Sequence, residues 1–219
     1  CYIFVDPEHD ATDIRPAIWD HVLERLNGQE LIGIMSGMLD DKIEAMGFFA
    51  DYGFERIAEE KLSKLDVTRF SLADFDTALA RVHAGGIEIV TLRKQKKREA
   101  DWQQKLHDLD VTVNRDIPSV GEKHYPDLAE WVKMRLEAPT FDPDAWFVAL
   151  DMGNYVGQSQ GNINRESHPV QFMTGVTTVR REYRRRGIAM ALKIHIIRFA
   201  QEQGVQEIFT TNDSENPMY

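Results

Sequence analysis

The chain has 219 residues, 42% of them hydrophobic and 28% charged, with a formal net charge of -10. That length fits one large domain or two small ones, and the acidity repels polyanions, which disfavours a nucleic-acid or anionic-membrane role and draws in cations. The single cysteine, Cys1, excludes an internal disulfide and no apolar run approaches the ~18 residues of a membrane span, so a soluble cytoplasmic protein is expected.

In chain order, "CYIFV" reads as a strand already in progress rather than a secretory signal. "DPEHDATDIR" follows as a turn, "PAIWDHVLERL" as a helix and "ELIGIMS" as a strand. "DDKIEAMGFFADYGF" predicts a short helix ending at Gly53, "FERIAEEKLSKLDV" two short strands, and "LADFDTALARVHAGG" a helix ending at Gly85 and Gly86. "IEIVTL" is a strand, and the basic run "RKQKKR" after it reads as a solvated charged face. "READWQQKLHDLDVTV" and "PDLAEWVKMRLEA" are helices, the second opened by Asp127 after Pro126. "AWFVALD" and "YVGQSQGNIN" form a hairpin turned by "MGN", and Trp131 and Tyr155 read as core residues. "QFMTGVTTV" is a strand, "RREYRRR" a second basic cluster, "IAMALKIHIIRFA" a helix with an apolar stripe at Ile188, Leu192 and Ile196, Gly204 its stop, and "EIFTTN" a final strand.

The first and last of these stretches share an order of elements. Shifted by 174 positions, Val5 falls on Val179, Glu8 on Glu182, Ile14 on Ile188, Ala17 on Ala191 and His21 on His195. An internal duplication is the expected reading.

A strand that passes through a glycine-bearing turn into a helix is suited to phosphate. The first helical turn leaves N–H groups unpaired, the helix dipole adds positive charge, glycine admits a close ligand, and neighbouring arginines add charge-assisted hydrogen bonds. Arg184, Arg185 and Arg186 ahead of Gly187 therefore make sense as an anion cradle.

"TGVTTVRREYRRRGIAMALK" resembles the acetyl-CoA signature of the GNAT superfamily of N-acetyltransferases, a Gln or Arg followed at the third and fifth positions by Gly and then Gly or Ala; the matching residues here are Arg184, Gly187 and Ala189. The order of elements on either side is also similar. The resemblance implies a layered α/β fold, a mixed central sheet with helices on both faces, present as two copies in tandem. Residues 1–75 would be the C-terminal part of a degenerate first domain and residues 76–219 a second domain lacking its last strands, so that the natural protein is expected to be longer at both ends.

The same resemblance implies acetyl-CoA as co-substrate without a metal. Its pyrophosphate would lie on the backbone of residues 185–189 beside the side chains of Arg184, Arg185 and Arg186. Its pantetheine arm would pair along Thr177 and Val179, with Asn212 and Asn216 near the cofactor. Tyr219 is the candidate general acid, its other reading being an ordinary helix aromatic, and Glu166 and His168 are open candidates for the base, against a plain loop role. In the first copy Arg184, Gly187 and Ala189 are replaced by Asp10, Asp13 and Arg15, and the position where the family often keeps a tyrosine holds Phe49, so that copy is expected to be a structural partner. The expected acceptor is a small, cationic primary amine, and the protein a monomer or homodimer. Two other readings stay open: an acyl-CoA-binding module that senses without transfer, and a nucleic-acid binder stacking bases on Tyr183 and Trp102, which the acidity opposes.

Overall fold

The structure is a computed structural model that describes residue 5, residues 14–31, 33–117 and 123–213. The chain divides into two compact units, Cys1–Arg56 and Ile57–Tyr219. In the first, α1 (Ile14–Leu26) and α2 (Ile43–Asp51) are helices. Trp19, buried at 3% exposure, sets its ring against Tyr52 and Phe54 with centroids 5.9 and 5.4 Å away. Gly53 ends α2 with φ +78°. The described part of "ELIGIMS" is not a strand, and Leu31 and Met35 in it are exposed. The opening "YIFV" lies outside the described residues.

The second unit is built on one six-stranded sheet. Its strands are β1 (Glu60–Asp66), β2 (Ile87–Thr91), β3 (Trp146–Asp151), β4 (Asn154–Asn164), β5 (Gln171–Val179) and β6 (Glu207–Asp213), in the spatial order β1-β6-β5-β4-β3-β2. Every neighbouring pair is antiparallel except β5 and β6, which run parallel. "FERIAEEKLSKLDV" yields one strand, β1, rather than two, and β1 pairs with β6 along its whole length, from Glu60↔Asp213 to Asp66↔Glu207. A domain boundary near Phe75 would therefore separate β1 from its own sheet.

Alternation along the strands sorts two cores. Phe147, Ala149, Val156 and Phe172 face α7 (Ile188–Glu202) and Val82 of α3 (Asp76–Ala84), where Ile188, Leu192, Ile196 and Phe199 fill the helical stripe. Trp146, Val148, Leu150 and Tyr155 face the other side, covered by Leu92 of α4 (Leu92–Arg98), Leu106 and Leu109 of α5 (Trp102–Asn114) and Trp131 of α6 (Leu128–Arg135). Trp131 and Tyr155 are core residues, 2% and 3% exposed. "RKQKKR" is helical in α4, and its ends are neutralised by Arg93–Asp144 and Arg98–Glu88 pairs.

Local chemistry explains the element ends. Asp127 caps α6 by accepting from the Glu130 N–H at 2.9 Å. The β3–β4 hairpin turns through Met152 and Gly153, both at positive φ as a two-residue turn of matching twist requires. Gly204 ends α7 at φ +71°, with Val205 N–H bonded to Ala200 O and Gly204 N–H to Gln201 O, the paired bonds of a glycine C-terminal motif.

β4 and β5 leave register between Ser159↔Thr177 and Gly161↔Thr174: Gly175 and Val176 together oppose the lone Gln160, which is a bulge on β5. Gly161 beside it has no room for a side chain, since a Cβ would fall 2.2 Å from Phe172 Cζ. Gly161→Ala is therefore expected to lower stability by about 1–3 kcal/mol through overpacking. Pairing it with Phe172→Leu should recover part of that loss in urea denaturation, and a neutral Gly161→Ala would contradict the packing described.

Candidate active site

After β5 the chain makes one short 3-10 turn over Arg181–Tyr183 and enters α7 at Gly187. Arg185 and Gly187 both adopt left-handed backbone, φ +60° and +81°. Glycine tolerates this without cost and arginine does not, so the bend is held by its surroundings. The first helical bond of α7 runs from Ala191 N–H to Gly187 O, and no side chain caps the helix. The N–H groups of Ile188, Ala189 and Met190 thus have no helical acceptor, and with the dipole behind them they are a donor set suited to an anion. A Cβ on Gly187 would lie 3.2 Å from Val82 Cγ2.

The arginine side chains brace this bend. Arg181 Nε donates to both oxygens of Asp116 at 2.8 and 2.9 Å, and Arg184 pairs with the same carboxylate while its Nε donates to Val179 O at 3.1 Å. Arg186 donates to Gly85 O at 3.1 Å and stacks over Tyr183, whose hydroxyl donates to Asp151 Oδ2 at 2.9 Å. That bond raises the Tyr183 pKa. Hydrogen bonds from Arg181, and then Arg184, pull the Asp116 pKa down to about 2. Of the three consecutive arginines, Arg185 alone has no hydrogen bond or ion pair among the described residues.

Beside the bend the sheet opens. β5 and β6 are paired only at Phe172↔Ile208 and Met173↔Phe209 among the described residues. Beyond that point β5 continues along β4 and β6 along β1. The two strands part where the β5 bulge begins, so residues 174–179 turn one strand edge toward a wedge whose open end lies where β5 leads into α7. Thr177 and Val179 lie on the stretch of β5 that borders the wedge; Thr177 Oγ1 is engaged with Ser159 Oγ at 2.7 Å, Val179 is buried at 7% exposure and its carbonyl accepts from Arg184. What they offer a ligand is therefore main-chain. Ala189 sits in the first turn of α7, and Asn212 on β6, in register with Lys61. Asn216 and Tyr219 lie outside the described residues. Glu166 and His168 are exposed in the β4–β5 loop, at the opposite end of β5 from the N-terminus of α7.

On the sheet face opposite α7 a cavity of about 210 Å³ reaches the same bulge. Gly175 and Val176 line it from β5, Gln160 and Asn162 from β4, Trp146 from β3, and Arg135 and Asp142 from α6 and the loop after it. Sequence reading did not find this cavity. Gly175 inside a strand was the available signal, because glycine there marks a bulge or a close approach.

Residues 104–219 match the model of the acetyltransferase (GNAT) family. The chain belongs to the GNAT acetyltransferase family. Among solved structures it is similar to a tandem GNAT protein from the clavulanic acid biosynthesis pathway (TM-score 0.63, 17% identity, covering 98% of this chain and 66% of that one). It is similar also to a GCN5-related N-acetyltransferase from Sphaerobacter thermophilus (TM-score 0.60, 16% identity, 98% and 64%). A third is the GCN5-related glucosamine N-acetyltransferase region of a fungal multi-domain GH3 β-N-acetylglucosaminidase (TM-score 0.59, 14% identity, 95% and 26%). At these identities the likeness is one of fold, and the chain spans between about a quarter and two thirds of those proteins. Comparison with curated proteins gives no match. No helix among the described residues is long and apolar enough to cross a membrane.

The Asp116 pairing predicts a pH dependence. Its carboxylate titrates at about 2 in the folded chain, against about 3.9 when unfolded. The stabilisation is therefore complete above about pH 4 and is lost as pH falls through the folded value. Wild type should exceed Asp116→Asn in urea midpoint at neutral pH and converge with it toward pH 2. A gap that persists undiminished at low pH would contradict the pairing.

Proposed function

We propose that this chain transfers an acetyl group from acetyl-CoA to a small primary amine, with the second unit alone binding the co-substrate. The observation that carries this reading is the parting of β5 from β6, with the uncapped N-terminus of α7 at the mouth of the gap. A diphosphate fits the donor set there: three main-chain N–H groups, a glycine that leaves room, and the exposed Arg185. An extended pantetheine arm fits the strand edge of residues 174–179, where its amides would pair as an added strand.

Acetyl-CoA supplies the activated carbonyl. The chain's own part is to hold that carbonyl at the bulge, where a main-chain N–H freed from the ladder can donate to the oxygen as it gains negative charge. The attacking amine must be neutral and the departing thiolate must take up a proton. Tyr219 remains the proposed acid. Asp142 is the one carboxylate lining the cavity, but its Oδ1 accepts from Asp144 N–H and its Oδ2 from Arg165, so both oxygens are already engaged.

We propose further that residues before the second unit belong to a degenerate GNAT copy unable to take acetyl-CoA. The 174-residue offset supports this through Asp10 and Asp13, which would set carboxylates where phosphate is wanted, although both lie outside the described residues. In that copy Arg15 stands on α1, near Glu44 at 3.9 Å.

The test repeats the first copy's own substitution. Gly187→Asp forces a side chain into left-handed backbone against Val82 and adds a negative charge at the cradle. Acetyl-CoA affinity in calorimetry should fall at least about 100-fold, the equivalent of about 2.8 kcal/mol. An unchanged affinity in a folded variant would refute the site. Release of free coenzyme A in the presence of amines separates transfer from mere binding.

A further inference from the structure

We infer that the cavity beside the β5 bulge takes a carboxylate, and that the acceptor is therefore a small amino-carboxylate of amino-acid size; this rests on the acetyl-transfer reading above for the fate of the amine, but not for the binding of the carboxylate.

The inference starts from Arg135. Its guanidinium is half-buried, has no carboxylate partner among the described residues, and is placed over the Trp146 ring at 5.8 Å. Nη2 donates to Gln160 Oε1 at 2.9 Å, and Nε is buried without a partner. Because arginine only donates, this bond fixes which end of the Gln160 amide is oxygen. The Gln160 NH₂ is left as a donor, and it too is buried without a partner, in a residue only 8% exposed. Two buried, unmet donors on residues that line one cavity cost stability. The Asn162 amide stands on the same side, its Nδ2 3.7 Å from where a Gly175 Cβ would be.

Charge selects the ligand. The ionisable residues lining the cavity are Arg135 and Asp142. Asp142 is already paired with Arg165 at 3.2 Å, so the charge left unbalanced is positive. A planar oxyanion matches the fork of a guanidinium together with an amide donor. Trp146, Phe141, Met134 and Val176 add apolar surface to the wall. A cavity of about 210 Å³ suits a molecule of a few heavy atoms more than benzene, which fills one of roughly 150 Å³.

The ligand's orientation follows. With its carboxylate at the Arg135 guanidinium, its other end lies toward the bulge, where Gly175 and Val176 oppose Gln160 and border both the cavity and the wedge. An amine one or two bonds from the carboxylate would arrive where the acyl carbonyl is held. The overall charge of -10 draws the ammonium end toward the molecule, while the cavity itself selects the carboxylate end.

The experiment uses the full chain and two independent titrations. Calorimetry or ligand-observed NMR with a panel of L-amino acids, their carboxamides and the matching decarboxylated amines reads the cavity, and titration with acetyl-CoA reads the cradle. At least one amino acid should bind at least 10-fold more tightly than its carboxamide and its decarboxylated amine. Arg135→Gln should remove that preference and Arg135→Lys restore only part of it, with acetyl-CoA affinity unchanged in both as evidence of an intact fold. Equal binding of acid and amide, or a preference that survives Arg135→Gln, would overturn the inference while leaving acetyl-CoA binding in place. Loss of acetyl-CoA binding with the carboxylate preference intact would instead count against the transferase reading alone.

Discussion

Among the described residues two positions of parallel pairing hold β5 to β6, and the proposed site in the second unit depends on there being no more. A strand edge in the middle of a sheet leaves main-chain donors and acceptors unmet, a condition folded proteins rarely tolerate. Here the opening is built in. The extra residue on β5, where Gly175 and Val176 face Gln160, tilts the strand away from its neighbour, and β1 secures β6 from the other side so that the second strand does not close the gap. The wedge is therefore a product of register, set by a glycine in one strand and by an edge strand drawn from earlier in the chain.

The arginine cluster serves that geometry in an unexpected way. Three adjacent arginines before a glycine suggest a set of side chains waiting for phosphate. Arg184 and Arg181 instead converge on Asp116 at the end of α5, and Arg186 reaches the end of α3. These contacts pin the strained bend at Arg185 and Gly187 to two helices, so that the N-terminus of α7 is presented in a fixed direction. Positive charge is thus spent mainly on shape, and main-chain N–H groups are left as the donors for the proposed diphosphate. An acidic protein can hold such a cradle because the charge that matters is local and largely of dipolar origin.

Much of this was legible in the sequence. The helical stripe of Ile188, Leu192 and Ile196, the cap at Asp127, the stop at Gly204 and the hairpin at Met152 and Gly153 are local signals, and local chemistry decides them. The glycine turn into α7 was readable for the same reason, as was the family resemblance, which the family match over the second half of the chain supports. Signals that depend on distant partners were not readable. "ELIGIMS" has strand-like residues but is not a strand among the described residues, β1 gives no hint that it pairs with β6, and nothing near Asp116 announces that two arginines some 65 residues later will close on it. The cavity lined by Arg135 and Gln160 was hidden likewise, because a helix end, two strands and a bulge must meet before those donors share a space.

Where the proposed co-substrate lies is the most direct measurement. A crystal structure with acetyl-CoA should place diphosphate oxygens within hydrogen-bonding reach of the Ile188 and Ala189 N–H groups, run the pantetheine along residues 174–179 between β5 and β6, and bring the acetyl carbonyl to the bulge at Gly175 and Val176. A complex in which that wedge stays empty while acetyl-CoA binds elsewhere on the chain would contradict the proposed site.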